Sequence, residues 1–166
     1  NLKFDNFKVM SIVDLNQLIV NQKNFKLKPY FPSFVKEVKL EKHKININYS
    51  KNKFFIKGSG DILLEEKTDS LSYQIIKDNK NLSFDTKINL KNNSLLIDFL
   101  NYEKKEGSSS LVSIKGNFKK NDKLRFDLIN LKEKDYEILI KDLELNKNFK
   151  IINVKRIKIN YKNDKK

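Results

Sequence analysis

Apolar and polar residues alternate with a period of two through most of the chain. The cleanest stretch is Leu82, Phe84, Thr86, Ile88 and Leu90, with Ser83, Asp85, Lys87 and Asn89 between them. Successive side chains of an extended strand point to opposite faces, so this segment presents one apolar and one polar face. The pattern recurs in Ile45-Ile47-Tyr49, Leu71-Tyr73-Ile75, Leu95-Ile97-Phe99, Val112-Ile114-(Gly116)-Phe118, Leu124-Phe126-Leu128, Tyr136-Ile138-Ile140, Phe149-Ile151 and Ile157-Ile159-Tyr161. Half-buried antiparallel strands have this signature. Short polar links separate them: Ser50-Lys51-Asn52, Asp78-Asn79-Lys80-Asn81, Lys91-Asn92-Asn93, Lys119-Lys120-Asn121-Asp122 and Asn146-Lys147-Asn148. Asn and Asp tolerate left-handed backbone and close their own turns, so neighbouring strands are expected to be joined by hairpins.

The expected architecture is therefore a single β-rich domain over 1–166, with repeated amphipathic hairpins over 44–162 and a less regular part over 1–43. In that first part Leu2 to Met10 reads as a strand. A short helix is possible near residues 12–20, with Asp14 as its cap before Leu15, Leu18 and Ile19. Pro29-Tyr30-Phe31-Pro32-Ser33 interrupts regular structure, and Phe34 to Lys42 resumes as a strand or short helix. Glu103 to Ser110, rich in Lys, Gly and Ser, reads as a flexible solvated connection. The chain starts in mid-pattern at Asn1-Leu2-Lys3-Phe4, as a piece of a longer protein would.

Composition strengthens the all-β reading. Among 166 residues there is no Ala, the best helix former, and the 39% hydrophobic fraction is Ile, Leu, Val, Phe, Tyr and one Met. Roughly 70% of the unfolded surface can be buried at this length, so a real core is possible without staples. The absence of Cys excludes disulfides, thiolate zinc sites and cysteine nucleophiles, and a single His excludes multi-histidine metal sites. No apolar run approaches the roughly 20 residues of a membrane-spanning helix.

The net charge of +14 suggests anionic partners, yet all but Arg125 and Arg156 of the 35 basic residues are Lys. Lysine on the polar face of every strand would produce the same number. Lys and Phe interleave at Lys23-Asn24-Phe25-Lys26, Lys53-Phe54-Phe55-Ile56-Lys57 and Phe118-Lys119-Lys120, which could pair ring stacking with phosphate contacts. Strand alternation instead assigns each Phe to the apolar face and each Lys to the other, and scarce Arg weakens base readout, so nucleic acid is disfavoured as a partner. Catalysis has little support. Glu65-Glu66 and Asp69 sit in a turn-like stretch, His43 lies between two lysines and is expected to be exposed, and no metal or cofactor motif occurs. Gly58-Ser59-Gly60 lacks the third Gly of a dinucleotide loop and reads as a bulge or a tight packing point.

Nine or ten amphipathic strands must cover their apolar face. A closed β-sandwich or barrel is one solution. A long antiparallel meander forming a curved, open, groove-like sheet is the other, and at about 4.8 Å per strand it would be roughly 45 Å long. Its uncovered face would hold hydrocarbon by apolar burial alone. Consecutive hairpins and few Gly or Pro corners favour the open form.

The order of segments from residue 53 onward resembles that of AsmA-like bacterial envelope proteins of the YhdP and TamB type. Phe54-Phe55-Ile56-Lys57-Gly58-Ser59-Gly60-Asp61-Ile62 is similar to their strand with two spaced glycines, followed here by Leu71 to Ile75 and Leu82 to Leu90. Ile97 to Lys104, a small-residue loop, and Val112-Ser113-Ile114-Lys115-Gly116-Asn117-Phe118 continue the likeness. The tail from Tyr136 through Asp142-Leu143-Glu144-Leu145 to Ile159 looks like their closing strands. The resemblance implies a non-enzymatic lipid-conduit module without cofactors, in the periplasm of a Gram-negative bacterium. It further implies an anchor to the inner membrane through a segment not in this sequence, phospholipid acyl chains as ligand, and outer-membrane components as partners. A structural or scaffolding β-module of the envelope is the alternative, and a basic nucleic-acid-binding β-domain a second one. The expected lipid-binding residues are Phe84, Ile88, Ile97, Phe99, Val112, Ile114, Phe118, Leu124, Phe126, Leu128, Ile138, Ile140, Ile151 and Ile157.

Overall fold

The structure is a computed structural model that describes residues 7–21, 27–32, 34, 37–64, 67–78, 81–119 and 123–160. Eleven strands occur among them: β1 (Val9–Asn21), β2 (Glu37–Ser50), β3 (Lys53–Leu63), β4 (Thr68–Asp78), β5 (Asn81–Leu90), β6 (Leu95–Ile97), β7 (Tyr102–Lys104), β8 (Ser110–Lys119), β9 (Lys123–Glu133), β10 (Tyr136–Leu145) and β11 (Ile151–Asn160). Nine form one antiparallel sheet in the order β1-β2-β3-β4-β5-β8-β9-β10-β11. Because β1 and β11 are both edges, the sheet is open and not a barrel, and its nine strands span roughly 38 Å at the usual spacing of about 4.8 Å. β6 and β7 make a separate small hairpin between β5 and β8.

Chemistry at the turns explains the tight connections. Asn52 takes φ 62° between β2 and β3, and Asn146 Oδ1 accepts the backbone N–H groups of Asn148 and Lys150 before β11. Bulges break the strict alternation at three places, one of them in β11, where Ile152 is extra relative to β10. Lys42, at φ 53°, is extra in β2 relative to β3. Asp127 is extra in β9 relative to β8, and Asp142, at φ 53°, lies opposite it in β10.

Several expectations for the irregular regions are corrected. Residues 12–20 are not helical but lie within β1, which pairs in register with β2 from Val9↔Tyr49 to Asn21↔Glu37. The Leu15, Leu18 and Ile19 spacing suits a helix, but Val9, Ile12, Val13, Ile19 and Val20 are β-branched, and the twelve-pair ladder satisfies the backbone better than a two-turn helix can. Glu37 to Lys42 is strand, while Leu2 to Asn6 lie outside the described residues. Leu95-Ile97-Phe99 does not join the sheet: β6 ends at Ile97 and a single 3-10 turn takes Asp98–Leu100. Phe149 belongs to the turn before β11, at φ 57°.

Only one end of the apolar face carries a buried core. Val38, Ile62, Leu71, Leu90, Leu131 and Ile138 come from β2 to β5, β9 and β10, and Phe34, Leu95 and Tyr102 cover them from outside the sheet. The cover has two parts, residues 27–32 with Phe34 and the β6–β7 hairpin, joined by the Leu96 N–H donated to Tyr30 O at 2.8 Å.

Candidate functional site

Beyond this cover, strand pairing lines up an apolar row across the sheet. It runs from Ile47 (β2) through Ile56, Ile75 and Phe84 to Gly116 (β8), then through Phe126 and Leu143 to Val154 (β11). All but Gly116 and Leu143 are half-buried, and no described segment lies over them. A second row toward the turns continues the face with Tyr49, Phe54, Leu82, Phe118, Leu124 and Leu145, interrupted only by Lys77. Phe118 is 43% exposed and Leu82 36%. Gly116 is a point of close approach: Phe84 and Phe126, its partners in the row, meet edge to face over it at 5.9 Å.

The expected lipid-contacting residues divide accordingly. Phe84, Ile114, Phe118, Leu124, Phe126 and Ile140 share the uncovered part of the apolar face, and Ile151 and Ile157 extend it onto the exposed edge strand β11. Ile88 and Val112 pack against the covered core, and Ile138 is buried in it. Three residues are placed elsewhere. Ile97 is in the covering hairpin, and Phe99, 79% exposed, is in the 3-10 turn. Leu128 pairs with Lys115 and Lys141 on the opposite face, because the extra residue Asp127 reverses the phase between Phe126 and Leu128. Ile47, Ile56 and Ile75 belong to the same row although they are not among the expected residues; the alternation of Ile47 and Ile75 is visible in the sequence.

The polar residues at the covered end differ from expectation. His43 is buried, at 1% exposure, and not solvated. It is in phase with Ile45, Ile47 and Tyr49, so it points to the apolar face despite its lysine neighbours. There it stacks on Tyr73 at 5.7 Å, donates Nε2–H to the Asp61 carbonyl at 2.9 Å, and fills the space above Gly60. Gly58 and Gly60 are thus packing points, as Gly58-Ser59-Gly60 suggested. Asp69 is buried too: its carboxylate accepts the backbone N–H groups of Lys91, Asn92 and Asn93 and the Asn93 amide, at 2.7 to 3.1 Å. Glu65 and Glu66 lie outside the described residues.

The expected flexible segment from Glu103 to Ser110 holds two of the most buried polar residues. Lys104 donates from Nζ to the carbonyls of Asn93 at 2.6 Å, Lys105 at 3.1 Å and Lys91 at 3.3 Å, while Ser110 begins β8 fully buried. Burial lowers the Lys104 pKa below its ordinary value, with Asp69, Glu133 and Glu106 opposing that shift. Tyr102 donates to Glu133 Oε2 at 2.6 Å, and burial, then this bond, push its pKa upward. These groups fasten the covering hairpin to the sheet. Lys104 and Tyr102 have partners within this cluster, whereas Ser110 Oγ and Asn93 Oδ1 are buried without a hydrogen-bond partner.

On the opposite face Arg125 binds Asp127 at 2.9 Å and Asp142 at 2.5 Å, with Glu144 at 3.8 Å, so its charge is occupied within the protein. Phe55 shares that face with Lys53 and Lys57, an exception to the expected separation of rings and lysines, whereas Phe118 follows it. Lys23 to Lys26 lie outside the described residues. Among the described residues no group of three or more His, Asp or Glu could hold a metal, and no helix is long and apolar enough to cross a membrane. No protein-family model, curated protein or solved structure matches the chain.

Proposed function

We propose that this chain is a non-enzymatic lipid-binding module, one stretch of an acyl-chain conduit of the AsmA-like kind. The observation that carries the reading is the uncovered apolar row from Ile47 to Val154, continuous through eight strands of an open sheet. Seven strand spacings of about 4.8 Å make it roughly 34 Å long. An acyl chain spans about half of the roughly 30 Å hydrocarbon core of a bilayer, so the row holds two chains end to end. Methylene chains need no hydrogen-bonding partner, and burying them against Ile, Leu and Phe gives about 25 cal/mol per Å². Nothing along the row fixes a chain at one point, as movement along a conduit requires.

In this reading the module works in the periplasm, tethered to the inner membrane through a segment outside this sequence. It passes phospholipid toward outer-membrane components and so supports outer-membrane homeostasis. The β1 edge supports a second role, as a structural element that pairs with further strands. β1 carries one charged residue, Asp14, in thirteen, and so lacks the lysines that usually block edge pairing. Native mass spectrometry of the chain purified from bacterial membranes tests the lipid reading. Phospholipid adducts are expected on the wild type and should be lost in Ile75→Glu/Phe84→Glu. An adduct-free wild type, or equal adducts on a folded variant, would overturn it.

A further inference from the structure

The opposite face carries a cavity of its own. Pairing places Lys44, Ser59, Ser72 and Lys87 in one row across β2 to β5, and Asn46, Lys57, Gln74 and Asp85 in the adjacent row. Together they line a cavity of about 380 Å³, with Gly58 and Tyr73. Two serines side by side leave a depression, because their side chains are the shortest in either row. Lysine stems on both sides raise its walls. This volume lies in the range of small-molecule sites.

Charge and hydrogen-bonding capacity specify the ligand. The Ser59 and Ser72 hydroxyls and the Gln74 amide are donors, and three ammonium groups surround them. None of Lys44, Lys57 and Lys87 forms an ion pair among the described residues. Asp85, the one carboxylate in the lining, is 2.9 Å from Lys115 outside it, and the nearby Asp61 is 3.7 Å from Lys42. Asp14 lies opposite Lys44 in the β1–β2 register without forming an ion pair. Three lysines against the single lining carboxylate leave the cavity an excess of positive charge over a floor of neutral donors. We infer that it binds a phosphate group, carried by a soluble phosphorylated molecule or by a lipid headgroup. The inference is independent of the apolar face.

Inorganic pyrophosphate titrated calorimetrically into the full chain at low salt is the direct test. One saturable site is expected, weakening as salt rises. In Lys44→Gln/Lys57→Gln/Lys87→Gln affinity should fall at least tenfold. The charge-matched control Lys132→Gln/Lys141→Gln/Lys155→Gln should bind as the wild type does, with both variants verified by circular dichroism. Flotation with phosphatidylglycerol vesicles separates the two sources. Vesicle binding that pyrophosphate displaces, and that the cavity variant loses, assigns a lipid headgroup, while pyrophosphate binding without vesicle binding assigns a soluble phosphate. Equal weakening in both variants would overturn the site in favour of diffuse attraction, as would the absence of saturable binding. Tight binding of an oligonucleotide unaffected by the cavity substitutions would also overturn it.

Discussion

Replacing Gly116 by Ala tests whether strands β8 and β9 approach as closely as the bulge at Asp127 requires. A Cβ at Gly116 would lie 2.4 Å from the Arg125 carbonyl oxygen and 2.8 Å from Phe84 Cζ. Restoring an ordinary contact of about 3.4 Å requires the two strands to separate by roughly 1 Å at that point, weakening the ladder where Asn117 pairs with Arg125. Overpacking of this kind costs about 1–3 kcal/mol and a weakened backbone hydrogen bond about 1 more, so we expect a loss of about 3 kcal/mol. With a urea m-value of about 2 kcal/mol/M, the unfolding midpoint should fall by roughly 1.5 M. Gly58→Ala is the internal control. Its Cβ would meet only the ring end of Tyr73, at 2.5 Å, and that ring can swing aside. We expect a cost of about 1 kcal/mol there, largely removed in a Tyr73→Leu background. Phe84→Leu should not rescue Gly116→Ala, because the Arg125 carbonyl remains. A Gly116→Ala protein as stable as wild type, or one rescued by Phe84→Leu, would refute the reasoning. So would stabilisation by about 0.4–1 kcal/mol, the usual result of this exchange at an unstrained site.

The buried polar groups give two more tests. Asp69→Ala removes the acceptor for three backbone N–H groups and the Asn93 amide, and should cost about 3 kcal/mol or more by urea unfolding. A loss below about 1 kcal/mol would mean that the turn after β5 holds without it. Tyr102→Phe leaves Glu133 buried without its donor, at a cost of about 1–3 kcal/mol near pH 8. The Tyr102 pKa is raised in the folded state, so its contribution is complete below the unfolded value near 10.0 and is lost as pH rises above it. The stability difference between wild type and Tyr102→Phe should therefore narrow from pH 8 to pH 11. The opposite tendency of Lys104, whose lowered pKa favours folding as pH rises, is shared by both proteins and cancels in the difference.

Much of the sheet was legible because its signal is local. Leu82 to Leu90 alternates without a break and forms β5 with the expected faces. Bulges escaped because an apolar residue on either side of one leaves the alternation looking intact: Leu124-Phe126-Leu128 reads as one face, yet Asp127 sends Leu128 to the other. β1 escaped because Leu15, Leu18 and Ile19 fit a helical spacing, and the partner strand that decides the matter lies more than fifteen residues away. The phases of His43 and Asp69 with their apolar neighbours were readable, although their charged surroundings pointed to solvent. Burial of Lys104 was not readable, since its acceptors include the carbonyls of Lys91 and Asn93, brought to it by the fold of the β6–β7 hairpin. The apolar row itself emerges only from the registers of eight strands, which no single segment contains.

Site-specific photo-crosslinking in cells tests the central claim most directly. Ile114 and Phe126 lie on the uncovered apolar face, while Ser113 and Lys115 flank Ile114 on the other. Probes at Ile114 and Phe126 should capture phospholipid, and probes at Ser113 and Lys115 should not. Equal capture from both faces, or capture from neither, would contradict an acyl chain lying along this sheet.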